Sequence, residues 1–165
     1  MFKPKNILGI AILAGVASFL TYSLLLYPPI SPDASPGSLT REIVPTPSVR
    51  IGKTTIGVEI ARDAAAIRKG LSGRISLEAE RGMLFVFSKP ARYRFWMPDM
   101  HFPIDIICIA DGQVAAIDEN AAPQDDLANP RFYTPPQPVT HVLEVNAGFA
   151  RRQNISIGNQ VTLPH

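Results

Sequence analysis

The chain offers little covalent bracing and few charges with which to hold a polyanion. Its 165 residues include one cysteine, which excludes an internal disulfide. That residue, Cys108, stands mid-way along an apolar run, where a small core side chain is expected rather than a nucleophile. Charged residues make up 18%, somewhat below the ordinary share. Sixteen Lys and Arg against fourteen Asp and Glu leave a net charge of +2, with the cations scattered. Nucleic acid, which needs a basic stripe, is therefore not an expected partner. There is no G-x-S-x-G elbow, and no Ser/His/Asp set can be assembled from the sequence. No internal repeat occurs, and low complexity is confined to one proline-rich stretch.

What is abundant comes first in the chain. Residues 1–6 carry Lys3 and Lys5, and residues 7–27 then run without a charge. That run matches the roughly 20 residues a helix needs to cross a hydrocarbon core. It exceeds the roughly 7–15 residues of a signal-peptide core, and the stretch after it offers no good cleavage site, because Pro32 and Pro36 crowd Ala34. An uncleaved single-pass anchor is expected in preference to a cleaved signal. Lys3 and Lys5 before the span, with no cation after it until Arg41, hold residues 1–6 in the cytoplasm. Everything downstream is then exported to the periplasm or cell exterior, with the cell membrane as the site of attachment. Residues 28–47 contain six prolines and read as an extended linker.

Residues 48–165 carry the folded domain. Thr54 to Ala61 alternates as a strand, and Asp63 is placed to cap a short helix that Gly70 and Gly73 stop. Gly82 to Phe87 reads as a buried strand, paired with Arg92 to Met97 in a hairpin. Ile104 to Ala110, the Asp111-Gly112 turn and Val114 to Ile117 form the clearest hairpin, since that pair accepts positive φ in a type I′ turn. Asn120 to Pro138 is a long loop, of a length that is usually functional or a flexible linker. Val142 to Val145 is a further strand, followed by one or two helical turns over Ala147 to Gln153. Ile155 to Ile157 and Gln160 to Leu163, around Gly158-Asn159, are expected to close the domain as a last hairpin. The fold class is mainly β, a sandwich- or barrel-like single domain with one or two short helices behind a transmembrane helix.

Several blocks then stand in a fixed order: GLSGR at 70–74, RGMLFVF at 81–87, FWM at 95–97, PIDII at 103–107, VLEV at 142–145 followed by AG, and I-x-x-G-N-x-V at 155–161. From Val58 to Val161 this order resembles the domain of unknown function 192 family. The resemblance implies a mainly β, sandwich-like fold, often secreted or membrane-anchored, and it brings no activity. Its motif positions fall on Gly70, Leu71, Arg74, Gly82, Met83, Phe85, Trp96, Met97, Pro103, Asp105, Glu144, Ala147 and Gly148. Two places depart from the pattern. Ser72 stands where methionine is usual, and Pro98-Asp99-Met100 replaces Lys-Asn-Thr, exchanging a cation and an amide for a proline and an acid.

Two chemistries compete for the remaining residues. Asp105 shares a strand face with Ile107 and Ile109, so it must cap backbone amides of the preceding turn, Phe95 to Pro103, or serve as a catalytic or metal-binding acid. A hydrolase, metal-dependent or acid–base, would use Asp105 with His101 or Glu144. No cofactor is expected, and no established metal-ligand spacing joins these residues. A binding module would instead use Trp96, Arg94 and Arg92, with Asp99 beside them, to take a small anionic or sugar-like ligand by stacking and forked hydrogen bonds. Tyr93, Phe95, Trp96, Met100, Phe102, Phe132 and Tyr133 supply enough apolar and aromatic surface to line a groove, although Tyr93 and Phe95, on the alternate positions, are expected in the core. An accessory part of the cell envelope, with an envelope protein as partner, is the third expectation. The preferred reading is a membrane-anchored exported binding or accessory module.

Overall fold

A computed structural model of the chain describes residues 46–126 and 128–164. The expected anchor at 7–27, and the linker up to residue 45, lie outside the described residues. Among the described residues no helix is long and apolar enough to cross a membrane.

The apolar run at the centre of the sequence is also the centre of the sheet. Strand β4 (Ile104–Ala110) is buried along its whole length. Its stiff β-branched side chains suit the pleat, and each fully buried isoleucine contributes about 1.5–3 kcal/mol. Asp111 (φ 50°) and Gly112 (φ 71°) turn the chain into strand β5 (Gln113–Ala121), as a type I′ hairpin requires. The other edge of β4 pairs antiparallel with strand β6 (Val139–Asn146), which pairs in turn with strand β3 (Arg81–Ala91).

Strands β1 (Ser48–Ile51), β2 (Thr54–Ala61) and β7 (Val161–Thr162) complete a seven-stranded sheet in the order β5-β4-β6-β3-β2-β1-β7. Among these seven strands β2 and β3 are the one parallel pair, and helix α1 (Ala64–Lys69) lies in the crossover between them. The Asp63 carboxylate accepts from the amides of Ala65 and Ala66, at 3.0 and 2.9 Å, and Gly70 ends the helix at φ 49°. The sheet curls until its edges meet. Val114 N donates to Asn159 O at 3.0 Å and Val161 N to Gly112 O at 2.8 Å.

Two apolar layers result, because successive strand residues face opposite sides. Val49, Ile56, Val58, Leu84, Ile107, Ile109, Leu143 and Val145 fill the side enclosed by the curl, joined by Phe149 of helix α2 (Phe149–Arg152). Met83, Phe85, Ile106, Cys108 and Val142 face outward, under a cover made by α1 and the loops around Met97, Met100 and Tyr133. Gly82 lets β3 and β6 approach closely: a Cβ there would stand 2.7 Å from the Glu144 carbonyl oxygen.

Two expected hairpins are not formed. β3 continues through Ser88–Ala91, and Arg92 to Met97 leaves the sheet, bridging only at Phe95 to Tyr133. Both edges of the buried part of β3 are occupied, by β2 and β6, so no edge remains for a hairpin partner. At the end of the chain, Val161 and Thr162 pair with β1 rather than with Ile155 to Ile157. Closing the curl gives that segment a partner that local spacing does not reveal.

Candidate functional site

The candidate residues of the sequence divide between the two faces. Asp105 is the second residue of β4 and points into the enclosed side, where none of its surface is exposed. Its Oδ1 accepts from the amides of Asn120 and Gly148, and its Oδ2 from the amide of Ala150, all at 3.0 Å. The carboxylate therefore binds the end of β5 and the start of α2 to the central strand, and not the preceding turn from Phe95 to Pro103 that the sequence suggested. Three amide donors on a buried acid form a structural brace with no room for a substrate.

Glu144 stands on the opposite face. In the register of β4 with β6, Asp105 lies beside Val145 and Ile106 beside Glu144, so the two carboxyls point away from each other. His101 occupies the exposed loop before β4, with its Nε2 4.0 Å from Asp99 Oδ1. The hydrolytic arrangement of Asp105 with His101 or Glu144 is accordingly not assembled. Among the described residues no three His, Cys, Asp or Glu side chains converge to hold a metal ion.

Cys108 is buried on the outer face, and burial, with Asp118 nearby, pushes its thiol up to about 12. It is an inert core residue at neutral pH. Burial also moves the Asp118 carboxyl upward and the His141 imidazole downward. The Arg74 guanidinium, bonded to both oxygens of Glu59 at 2.6 and 2.7 Å, holds that carboxyl below the usual range.

Of the four residues expected to bind a ligand, Trp96 and Arg94 border a concavity, and Arg92 and Asp99 do not line it. A cleft of about 490 Å³ opens between α1 and the segment after β3. Ala64, Ile67, Arg68 and Lys69 form one wall, Phe85, Phe87, Tyr93 and Phe95 the apolar side, and Arg94, Trp96, Pro98 and Met100 the remainder. Tyr93 stacks on Phe87 with ring centroids 3.6 Å apart and planes 13° from parallel, and Phe95 meets Phe85 edge-on at 5.3 Å. Both are half-buried walls of the cleft as well as packing residues.

Trp96 is 42% exposed, an uncommon state for so large an apolar surface. Its ring lies 6.2 Å from that of Phe132, and the Arg94 guanidinium sits 3.7 Å above Phe132. The long loop thus presents an aromatic ring to the rim, and the cation–π contact preorganises Arg94 there. Arg92 and Asp99 serve differently. Arg92 Nε donates to Pro135 O at 2.8 Å and anchors the loop. Asp99, held at φ 52°, accepts from the Gly73 amide at 2.7 Å through its backbone carbonyl, and its side chain is exposed.

Sequence reasoning missed the α1 wall, whereas Phe132 is among the aromatic residues expected to line a groove. The spacing of Ala66 and Ile67, which pack on the outer layer, marks the inward face of α1. It carries no sign that Arg68 and Lys69 would border the same space as Trp96. Phe132 has no local periodicity at all.

Similar proteins of known structure share this architecture. A candidate transcription regulator of Sinorhizobium meliloti 1021 is 31% identical, with a TM-score of 0.65 over 71% of this chain and 92% of that one. A protein of unknown function from Novosphingobium aromaticivorans DSM 12444 is 34% identical, with a TM-score of 0.63 over 70% of this chain and 83% of that one. Among curated proteins there is no match. Residues 47–163 match the family profile DUF192, described as uncharacterized ACR, and on that match the chain belongs to the DUF192 family.

Proposed function

We propose that the domain is a binding module and that the cleft beside Trp96 is its ligand site. The observation that carries this reading is the exposed Trp96 at the rim of an apolar, aromatic-walled concavity. Arg68, Lys69 and Arg94 border the same space, and among the described residues none of their side chains pairs with a carboxylate. An amphipathic anion, with an apolar body for the aromatic wall and a carboxylate for the cations, suits this lining. Small monocarboxylates with an aromatic ring are the simplest members of that class.

In the same proposal, residues 7–27 anchor the chain and the proline-rich linker holds the module outside the membrane. The uncharged run and the basic residues before it support this placement. The mass of the mature protein tests retention of the leader, and external protease on spheroplasts tests export. A mass lacking the first residues, or a protected domain, would count against it. The gene-regulatory description of the Sinorhizobium protein is not carried over, because the cations of this chain form no basic stripe.

The sole tryptophan is a built-in reporter for the ligand site. Titrating the full chain with 4-ethylbenzoate should quench Trp96 saturably, and 4-ethylbenzamide should bind about tenfold or more weaker for want of the charge. A response that is absent, or equal for the two probes, would refute an anion-binding cleft.

A further inference from the structure

The segment that leaves the sheet after β3 has one edge occupied and one edge bare. Phe95 N donates to Tyr133 O and Tyr133 N to Phe95 O, both at 2.8 Å, and Gln124 N donates to Met97 O at 3.1 Å. Alternate residues of an extended segment turn their backbone groups to opposite sides, so the edge of Phe95 and Met97 is filled by the long loop. Arg94, Trp96 and Pro98 present theirs on the other edge. Pro98 O accepts from Ser72 Oγ at 2.9 Å, so this second edge faces the chain that follows α1. Among the described residues neither Arg94 nor Trp96 has a backbone hydrogen-bond partner.

That bare edge opens on the cleft. Tyr93, Arg94, Phe95 and Trp96 all line it, and four consecutive residues share one cavity when the edge of the strand, not a single face, borders it. Unpaired N–H and C=O groups along an extended edge are a template for an added strand. We propose that the cleft takes the C-terminal end of an extended peptide, paired as a short strand with Arg94 and Trp96. This rests on the cleft being the binding site, and it names the amphipathic anion as a peptide that ends in an apolar or aromatic residue.

The end of the edge favours a chain terminus over a passing loop. Pro98 has no N–H and its carbonyl is taken by Ser72, so strand pairing stops after Trp96. Just beyond, the bond from Gly73 N to Asp99 O, at 2.7 Å, closes the lip. Charge then selects the carboxyl end of a peptide over its amine. Arg68, Lys69 and Arg94 border the space, and among the described residues no Asp or Glu lines it. Phe85, Phe87 and Tyr93 form the apolar wall that receives the last side chain. Backbone pairing supplies affinity in this mode, and the wall with the cations supplies selectivity.

The probe is acetyl-Ala-Ala-Val-Phe with a free carboxylate, titrated against the full chain by Trp96 emission. It should bind saturably, and its C-terminal amide about tenfold or more weaker. Two isomers carry N-methyl groups on the first and third, or on the second and fourth, of its amides. A strand offers its neighbour only alternate amides, so the two isomers should differ in affinity by at least about tenfold. In hydrogen exchange the Arg94 and Trp96 amides should be open in the free chain, unlike that of Phe95, and become protected at saturating peptide. Isomers that bind alike, an amide as tight as the acid, or Arg94 and Trp96 amides still open at saturation would overturn the proposal. Binding of 4-ethylbenzoate without binding of the peptide would overturn it too, and leave the cleft reading standing. Failure of both probes would overturn the cleft reading and this inference with it.

Discussion

The hydroxyl of Ser72 donates to the carbonyl oxygen of Pro98 across 2.9 Å, joining the two places where this sequence departs from the pattern of its family. One residue later, the Gly73 amide reaches the Asp99 carbonyl at 2.7 Å. The loop after α1 and the loop after Trp96 are thus zipped together at the lip of the cleft. A shift of either loop would move Trp96 relative to α1.

Ser72→Ala removes one part-buried hydrogen bond from this lip and should cost about 0.5–1.5 kcal/mol. Denaturant unfolding of the variant measures the loss. Weaker 4-ethylbenzoate binding should accompany it, because the lip loosens next to Trp96. Unchanged stability and unchanged binding would mean that the two loops are held by other contacts.

Asp105→Asn should be costly although it changes one atom. The amide nitrogen cannot accept from all three backbone donors, so at least one buried N–H loses its partner, at about 1–3 kcal/mol or more. The melting temperature should fall, while 4-ethylbenzoate affinity below that temperature should hold. Lost binding with an unchanged melting point would return Asp105 to the site.

Glu144 makes stability depend on pH in a direction opposite to most carboxylates. Its folded value of about 8, raised by burial, lies above the 4.5 of a solvated glutamate, so between those limits the native state holds a proton that the unfolded chain has released. Stability should therefore fall as pH rises through that window, by up to about 1.4 kcal/mol per unit, and level off above it. Melting curves at pH 5, 7 and 9 measure the slope. Glu144→Gln should flatten it and be the more stable form at pH 9. A slope identical in both forms would show that this carboxyl ionises freely.

Cys108 should resist thiol reagents at pH 8 in the native domain and react fully once unfolded, given its burial and a thiol pushed up to about 12. Rapid modification of the folded chain would mean that the outer layer opens readily.

Much of this fold was legible because local chemistry and tertiary context agree along β4. A continuous run of β-branched residues followed by Asp-Gly admits few structures, and both strand faces followed from alternation alone. The Asp63 cap and the Gly70 stop were readable for the same reason. Arg92 to Met97 alternates as a strand does and buries Met97 while exposing Trp96, yet β2 and β6 already occupy the edges of β3. That competition is tertiary, and no local pattern records it. The pairing of Val161 with Ile51 likewise depends on curling of the sheet.

The site was legible in part. Trp96 and Arg94 stand at the cleft, but its opposite wall comes from α1, some 25–30 positions earlier in the chain. Phe132 reaches Arg94 from a loop without periodicity. Glu144 and Asp105 were grouped by residue type, and strand parity across a register of adjacent β4 and β6 positions separates them.

The most direct test of a ligand site beside Trp96 is a backbone and tryptophan-indole NMR map of the full chain titrated with 4-ethylbenzoate. Saturable shifts should cluster at Ile67 to Ser72, Phe87 and Tyr93 to Trp96, and Arg94→Ala should weaken them. Shifts centred on any other surface, or none at millimolar probe, would contradict the account.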